Sequence, residues 1–369
     1  MNRRGFLTIA AGVPLAAAGL PAAPALADDV PMRGRVTGLL ARDVTLVRPA
    51  GWDRLRGFVQ PLTWAEAQPE PSGDVSEAAL QKLRDAAGVA RARGYTRLKL
   101  RLLAGYQSPA WALALGGGPM VGWEDPDPVT PLLYDVPVWW ADDFLAAYTA
   151  FLPKLAAALE PEPLWGEVTV SGTCTVFAEP CIKQLGVAAN RAKAIGREYT
   201  DTADRAALET VIAAHQDAFT PRGITSSVAY NPWQYIDPGT GRLKTDPDIT
   251  IELMEFQKRT MGSFGVWENN SLIARRVDGR LEQTRADYQS MYDHMTAAGA
   301  AGHPIQFQTA TLAKIEAEED ATVETTASWV AENHGISVEL PRGWEQEATI
   351  DTGRATALNN RMVANAATT

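Results

Sequence analysis

Short runs of β-formers alternate along this chain with amphipathic stretches, and that alternation limits the fold more than any other feature. Seven runs read as strands, beginning at Phe58, Leu98, Val168, Thr225, Phe264, Ile305 and Ile336. Between them, Ser76–Gly94, Ala141–Leu159, Ala188–Tyr199, Ala203–Phe219, Ile249–Met261, Leu281–Ala298 and Ala321–Asn333 have the apolar spacing of helices. Strands separated by helices of this length are joined by crossovers and run parallel. An eighth strand is either Val36–Leu46 or lies within Gly105–Val138, a long segment rich in Gly, Pro and Trp. The expected fold is therefore α/β, a single (β/α)8 TIM barrel over residues 51–347. A segment over 28–50 precedes it, and a polar tail over 348–369, expected to fray, follows it. The runner-up, an open doubly wound sheet, announces itself with a glycine-rich phosphate loop; Gly116-Gly117-Gly118 lacks that spacing.

Residues 1–27 read as a cleaved twin-arginine signal peptide. Asn2-Arg3-Arg4-Gly5-Phe6-Leu7 is followed by an apolar stretch and by Ala25-Leu26-Ala27, a small-residue cleavage site. Pro14, Pro21 and Pro24 break this stretch as a stable membrane anchor. The expectation is a secreted or cell-envelope protein that meets the twin-arginine export machinery. The whole chain carries a formal charge of -10, and residues 1–27 hold two Arg and no acid. A chain this acidic lacks the basic face that nucleic acid requires.

In a barrel the chemistry sits at the C-terminal ends of the strands. The residues expected there are carboxylates, amides and aromatics: Glu179, Glu268 and Glu339; Asn231, Asn269 and Gln308; Trp64, Tyr106, Trp233 and Trp344; and Arg101. Glycoside hydrolysis uses such a set, with two carboxylates flanking the bond, amides for hydroxyls and aromatic faces for the ring. Glu179, between Ala178 and Pro180 in a partly apolar stretch, suits a general acid whose pKa must be raised. Glu268, beside Asn269 and Asn270, suits the carboxylate that stays ionised. In an exported protein the two cysteines, Cys174 and Cys181, read as a disulfide that holds the Glu179 loop. The four His show no i,i+4 pair and no Gly-x-Ser-x-Gly is present, so neither a metal site nor a serine nucleophile is expected, and no cofactor is implied. The expected function is an exported glycoside hydrolase acting on an oligo- or polysaccharide. The alternative is a non-catalytic carbohydrate-binding barrel.

Three stretches resemble β-galactosidase-like (β/α)8 hydrolases. Phe58–Trp64 with Glu70-Pro71-Ser72-Gly73 looks like their early strand and the loop after it. Leu98–Leu103 with Gly105-Tyr106 and Pro109-Ala110-Trp111 looks like the next. Ala178-Glu179-Pro180 is similar to the Asn-Glu-Pro that carries the acid/base Glu after the fourth strand. The resemblance implies Glu179 as acid/base, a carbohydrate substrate, and a nucleophilic Glu after the seventh strand. This sequence departs from that pattern at two places. Ala178 stands where the Asn is expected. If Glu179 follows the fourth strand, then Ile305–Thr309 is the seventh and offers Gln306 and Gln308 instead of Glu. The second carboxylate is then Glu268 or Glu339.

Overall fold

The computed structural model describes residues 30–46, 51–127, 130–346 and 350–369; the expected signal peptide over 1–27 lies outside them. Eight parallel strands close into one barrel. In chain order they are Gly38–Ala41, Gly57–Thr63, Leu98–Leu103, Trp165–Thr169, Thr225–Ala229, Gly265–Leu272, Ile305–Thr309 and Ser337–Leu340. The first strand closes the ring by pairing with both the second and the eighth.

The eighth unit is thus the strand inside Val36–Leu46. The segment Gly105–Val138 instead holds an antiparallel hairpin, Met120–Asp125 with Leu132–Val136, set apart from the barrel sheet. Trp165–Thr169 is therefore the fourth strand and Ile305–Thr309 the seventh. Both flanking boundaries are corrected. The barrel starts within the segment assigned to 28–50, and the tail contains a helix, Thr352–Ala366. That helix has a physical reason to form. Ala355, Leu358 and Met362 give it a buried face, and Asn359 Oδ1 accepts from the Leu39 N–H of the first strand at 2.8 Å. The expected helix over Leu281–Ala298 starts later, at Gln289. Arg280–Gln283 pairs instead with Ala274–Val277 as a second hairpin.

Several helices start at side-chain caps that the sequence supplies. Ser76 caps Glu77–Arg93 by accepting from Ala79 N, and Gly94, at φ 73, stops it in the left-handed region. Asp246 caps Pro247–Met261, and Thr200 caps Asp201–Phe219. Their buried faces and the outward faces of the strands make the apolar core. Trp64, Trp123, Trp139, Trp165, Trp233, Trp267 and Trp344 are its largest members.

The inside of the barrel is ionic. Lys99 pairs in register with Glu167, Glu268 with Gln306, and Gln308 with Glu339, so these side chains share the inner face. Lys99 Nζ lies 2.6 Å from Glu268, 3.1 Å from Glu339 and 3.4 Å from Glu167, all essentially inaccessible to water. Gln306 donates to Glu167 at 2.6 Å and accepts from Ser337 at 3.0 Å, which extends the ladder downwards.

Candidate active site

A cleft of about 760 Å³ opens over the C-terminal ends of the strands. Glu179, Asn231, Gln308, Phe177, Arg42, Arg285, Tyr288, Asp125 and Asp127 contribute to its walls. Glu179 arrives there on the loop that leaves the fourth strand, and three sets of contacts fix that loop. Gly105, at φ 63, lets the loop after the third strand pass so close that a Cβ there would sit 2.1 Å from the Thr175 carbonyl oxygen. From this position Tyr106 N donates to Thr175 O at 2.9 Å. Lys183 then donates to the Pro180 carbonyl at 2.6 Å and to Asp204 at 2.7 Å, with its ammonium 4.4 Å from the Trp233 ring centroid. Ile182 N closes the turn onto Glu179 O at 3.1 Å.

These contacts do the work expected of a disulfide. Cys174 and Cys181 are separate buried thiols, which corrects the expected bridge. Burial pushes both thiols up, Cys181 to about 12, so neither is a ready thiolate.

Glu179 is partly buried, and Asn231 Nδ2 donates to its Oε2 at 2.9 Å. Burial holds its carboxyl above the usual carboxylate range; the amides of Asn270 and Asn231 and the charge of Arg101 pull the other way without cancelling that effect. Asn270 reaches this position because the sixth strand slips register against the seventh between Asn269 and Leu272, and Ser271 sits at φ 66 beside the cleft. A bulge of this kind re-aims side chains next to a site.

The two other expected carboxylates lie beneath the cleft. Glu268 is 1% exposed and tied to Lys99. Burial first, and the neighbouring Glu339 charge, keep its carboxyl above the usual range, although Lys99 pulls it down. Glu339 is held by both Arg101, at 2.5 Å, and Lys99. Burial alone would raise it, but Arg101 and then Lys99 bring it down to about 2. Arg101 also donates to Gln308 Oε1 at 3.2 Å. Gln308, at the end of the seventh strand, therefore reaches the cleft as an amide whose oxygen is already engaged.

The aromatic expectations are corrected. Trp64 is fully buried among Trp111, Phe144, Tyr148 and Phe151, with its Nε1 on Gln68 at 3.0 Å. Trp233 donates to Asp201 at 2.6 Å from within the core, and Trp344 is buried under Arg54. Tyr106 packs at a tilt against Tyr134, with centroids 4.3 Å apart, and is not part of the cleft wall. Asn269 points away from the cleft, donating to Tyr230 O and accepting from Tyr292 OH, both at 2.6 Å. The aromatic faces the cleft does offer are Phe177 and Tyr288. Of the expected residues, Glu179, Asn231 and Gln308 are brought together, with Arg101, Glu268 and Glu339 one layer below. Sequence reasoning missed Phe177, Tyr288, Arg285 and Arg42 as parts of the site, and read Asn270 only as a neighbour of Glu268. Lys99 and Glu167 carried a readable signal, since each alternates with apolar neighbours on a strand. Among the described residues, no group of three or more His, Cys, Asp or Glu is placed to hold a metal ion.

No family model matches the chain, and no curated protein matches it. Solved structures of similar course include endoglucanase Cel5A of Pseudomonas stutzeri, with 8% identity and a TM-score of 0.43 over 87% of this chain and 86% of that one. A GH5_18 protein of Bifidobacterium longum, in complex with Manb1-4GlcNAc, has 11% identity and a TM-score of 0.47 over 89% and 78%. A β-glycosidase of Pyrococcus horikoshii has 12% identity and a TM-score of 0.40 over 85% and 81%. At such identities, the chemistry of this chain has to come from its own side chains.

Proposed function

We propose that the chain is a glycoside hydrolase in which Glu179 protonates the departing glycosidic oxygen. The observation that carries this reading is the state of Glu179. It is a carboxyl that keeps its proton above the usual range, held by Asn231, in a cleft over the strand ends wide enough for sugar rings. Phe177, 36% exposed in the cleft wall, supplies an apolar face for a ring. Glu268, expected as the second carboxylate, would have to act from beneath through a sugar seated deep enough to reach it. Asp127 is a carboxylate already exposed at the cleft. Two-carboxylate hydrolysis with retention calls for a separation of about 5–5.5 Å, and inversion for roughly 6.5–9.5 Å.

The purified protein should release nitrophenol from at least one aryl glycoside in a broad panel. Glu179→Gln should lower kcat by about 10²–10⁴. Full activity in a folded Glu179→Gln protein would sink the assignment. A second reading, a carbohydrate-binding barrel without turnover, is favoured by Gln308 at the end of the seventh strand and by the ion pairs that tie up Glu268 and Glu339. Oligosaccharide binding with no hydrolysis across the panel would select it. Export by the twin-arginine pathway is proposed from Asn2–Leu7 and Ala25–Ala27 alone. N-terminal sequencing of protein recovered outside the cytoplasm should then begin near Asp28.

A further inference from the structure

One wall of the cleft carries cations that make no ion pair with an acid among the described residues. Arg42 follows the first strand, and its Nη2 donates to Thr309 Oγ1 at 2.9 Å and to the Ala310 carbonyl at 3.0 Å, as well as to Thr309 O. The guanidinium is thereby anchored to the end of the seventh strand, while its Nε is buried without a partner. Lys314 lies on the short helix that follows that strand, is exposed, and lines the same cleft. Arg342, on the exposed loop after the eighth strand, is near enough for its charge to bear on Arg42.

The nearby carboxyls are committed elsewhere, although the charge of Glu339, and less that of Glu179, still bears on Arg42. Glu339 is already held by Arg101 and Lys99, and Glu179 is biased towards its protonated form. Arg285, the other cation of the cleft wall, is satisfied by Asp287 and by the Tyr288 ring face, 3.9 Å away. The acidic cleft residues, Asp125 and Asp127, belong to the hairpin after the third strand. In an eight-stranded ring the third and seventh strands face each other, so the cleft is polarised across its width. In a chain of net charge -10, Arg42 and Lys314 on one wall of the cleft, with Arg342 close enough for its charge to act on Arg42, form an anion-seeking surface.

We infer that Arg42, Lys314 and Arg342 form a subsite for an anionic substituent, a carboxylate or a sulfate, on a sugar bound in the cleft; this rests on the carbohydrate reading above. A planar guanidinium and an ammonium suit either oxyanion. Burial is the main influence on Arg42 and lowers it to about 10, with the Glu339 charge opposing and Arg101 and Arg342 acting in the same direction as burial; it stays charged near neutrality with its cost of desolvation only partly met.

The test is calorimetric titration of the full chain with trigalacturonate, a sulfated galactose trisaccharide and a neutral galactose trisaccharide at low salt. At least one acidic ligand should bind about tenfold or more tightly than the neutral one, and the advantage should shrink as salt rises. Which acidic ligand wins decides between carboxylate and sulfate. Lys314→Gln with Arg342→Gln, both at exposed positions, should abolish the preference and leave neutral binding unchanged. Arg42→Lys should keep most of it. Equal binding of acidic and neutral sugars, or a preference that survives the double substitution, overturns the subsite alone. Binding of no saccharide overturns both the subsite and the carbohydrate reading.

Discussion

Replacing Lys99 with Met tests the idea that the barrel is held together by charge rather than by apolar side chains. Met roughly preserves the length and volume of the Lys stem, so the change isolates the ammonium. That ammonium stands within 3.4 Å of Glu167, Glu268 and Glu339 in a region closed to water. Removing one partner of a buried ion pair costs about 3–5 kcal/mol, because the remaining charges lose their compensation. The acid limb gives an independent magnitude. Glu339 is brought down to about 2, and against an unfolded value near 4.3 this amounts to about 3 kcal/mol of stability at neutral pH. Because the folded pKa is the lower one, that stability is complete above the unfolded value and is lost as pH falls through the folded one. In Lys99→Met the sign reverses at Glu268, which loses its nearest cation, while Glu339 keeps Arg101. The Glu268 carboxyl is pushed further up, so the folded variant binds more protons there and loses stability as pH rises. Urea unfolding followed by tryptophan fluorescence at pH 5 and pH 8 should show a deficit that widens at pH 8 to about 3–5 kcal/mol. Glu268→Gln added to Lys99→Met should restore about 1 kcal/mol or more, since it removes one unpaired charge. A deficit below about 1 kcal/mol, or one indifferent to pH, would refute the reasoning.

The remaining predictions concern the cleft and its supports. Asn231→Leu removes a hydrogen bond that favours the charged form of Glu179; the limb of kcat/KM that falls with rising pH should move upwards by about one unit, and an unmoved limb would mean that Glu179 is not the acid. Gln308→Glu places a carboxylate beside Arg101 Nη2, which now bonds the amide oxygen at 3.2 Å; turnover of aryl glycosides should rise, and a folded variant with no gain would argue against a nucleophile position there. Thiol titration with an aromatic disulfide should find no reactive cysteine in the native protein and two in urea; none in urea would restore the bridge. Gly105→Ala should cost more than about 2 kcal/mol in urea unfolding, from the left-handed backbone and the blocked approach to Thr175; a loss under 1 kcal/mol would show that the two loops can part.

The barrel was legible because its signal is local. Alternation of strand and helix runs survives in the sequence wherever each unit carries its own apolar face, as in Glu77–Arg93 and Pro247–Met261. The first strand was harder to place. Gly38–Ala41 is four residues long and fully buried on both faces, so it shows no alternation. The terminal helix was misread for a related reason. Its composition is polar, and its buried side is made of Ala, Asn and Met as much as of Leu. Leu281 looked helical from its spacing, yet Asp278-Gly279 at positive φ turns the chain into a hairpin first.

The site was legible only where chain order decides the geometry. Glu179 could be read because it sits in a loop after a strand, next to a proline and among apolar residues, whereas Glu66, after the second strand, caps its own helix and pairs with Lys82. Tryptophans carry no such signal. Trp64, Trp233 and Trp344 follow strands and were read as ring platforms, but all three are buried, with Trp64 bonded to Gln68, Trp233 to Asp201 and Trp344 under the Arg54 guanidinium. The ionic interior makes the same point for charges. Lys99 and Arg101 sit on alternate residues of the third strand, so they share a face, and that face is the inside of the barrel. Two cations there demand buried carboxylates, and Glu167, Glu268 and Glu339 answer that demand. Three carboxylates against two cations leave one negative charge in excess, and burial with the Glu339 charge holds the Glu268 carboxyl above the usual carboxylate range. A cationic transition state over Glu179 and Gln308 would favour the ionised form of Glu268. In that arrangement a carboxylate without cleft exposure still contributes to the electrostatics of the cleft, through Arg101, the cation that couples to both Glu179 and Glu268.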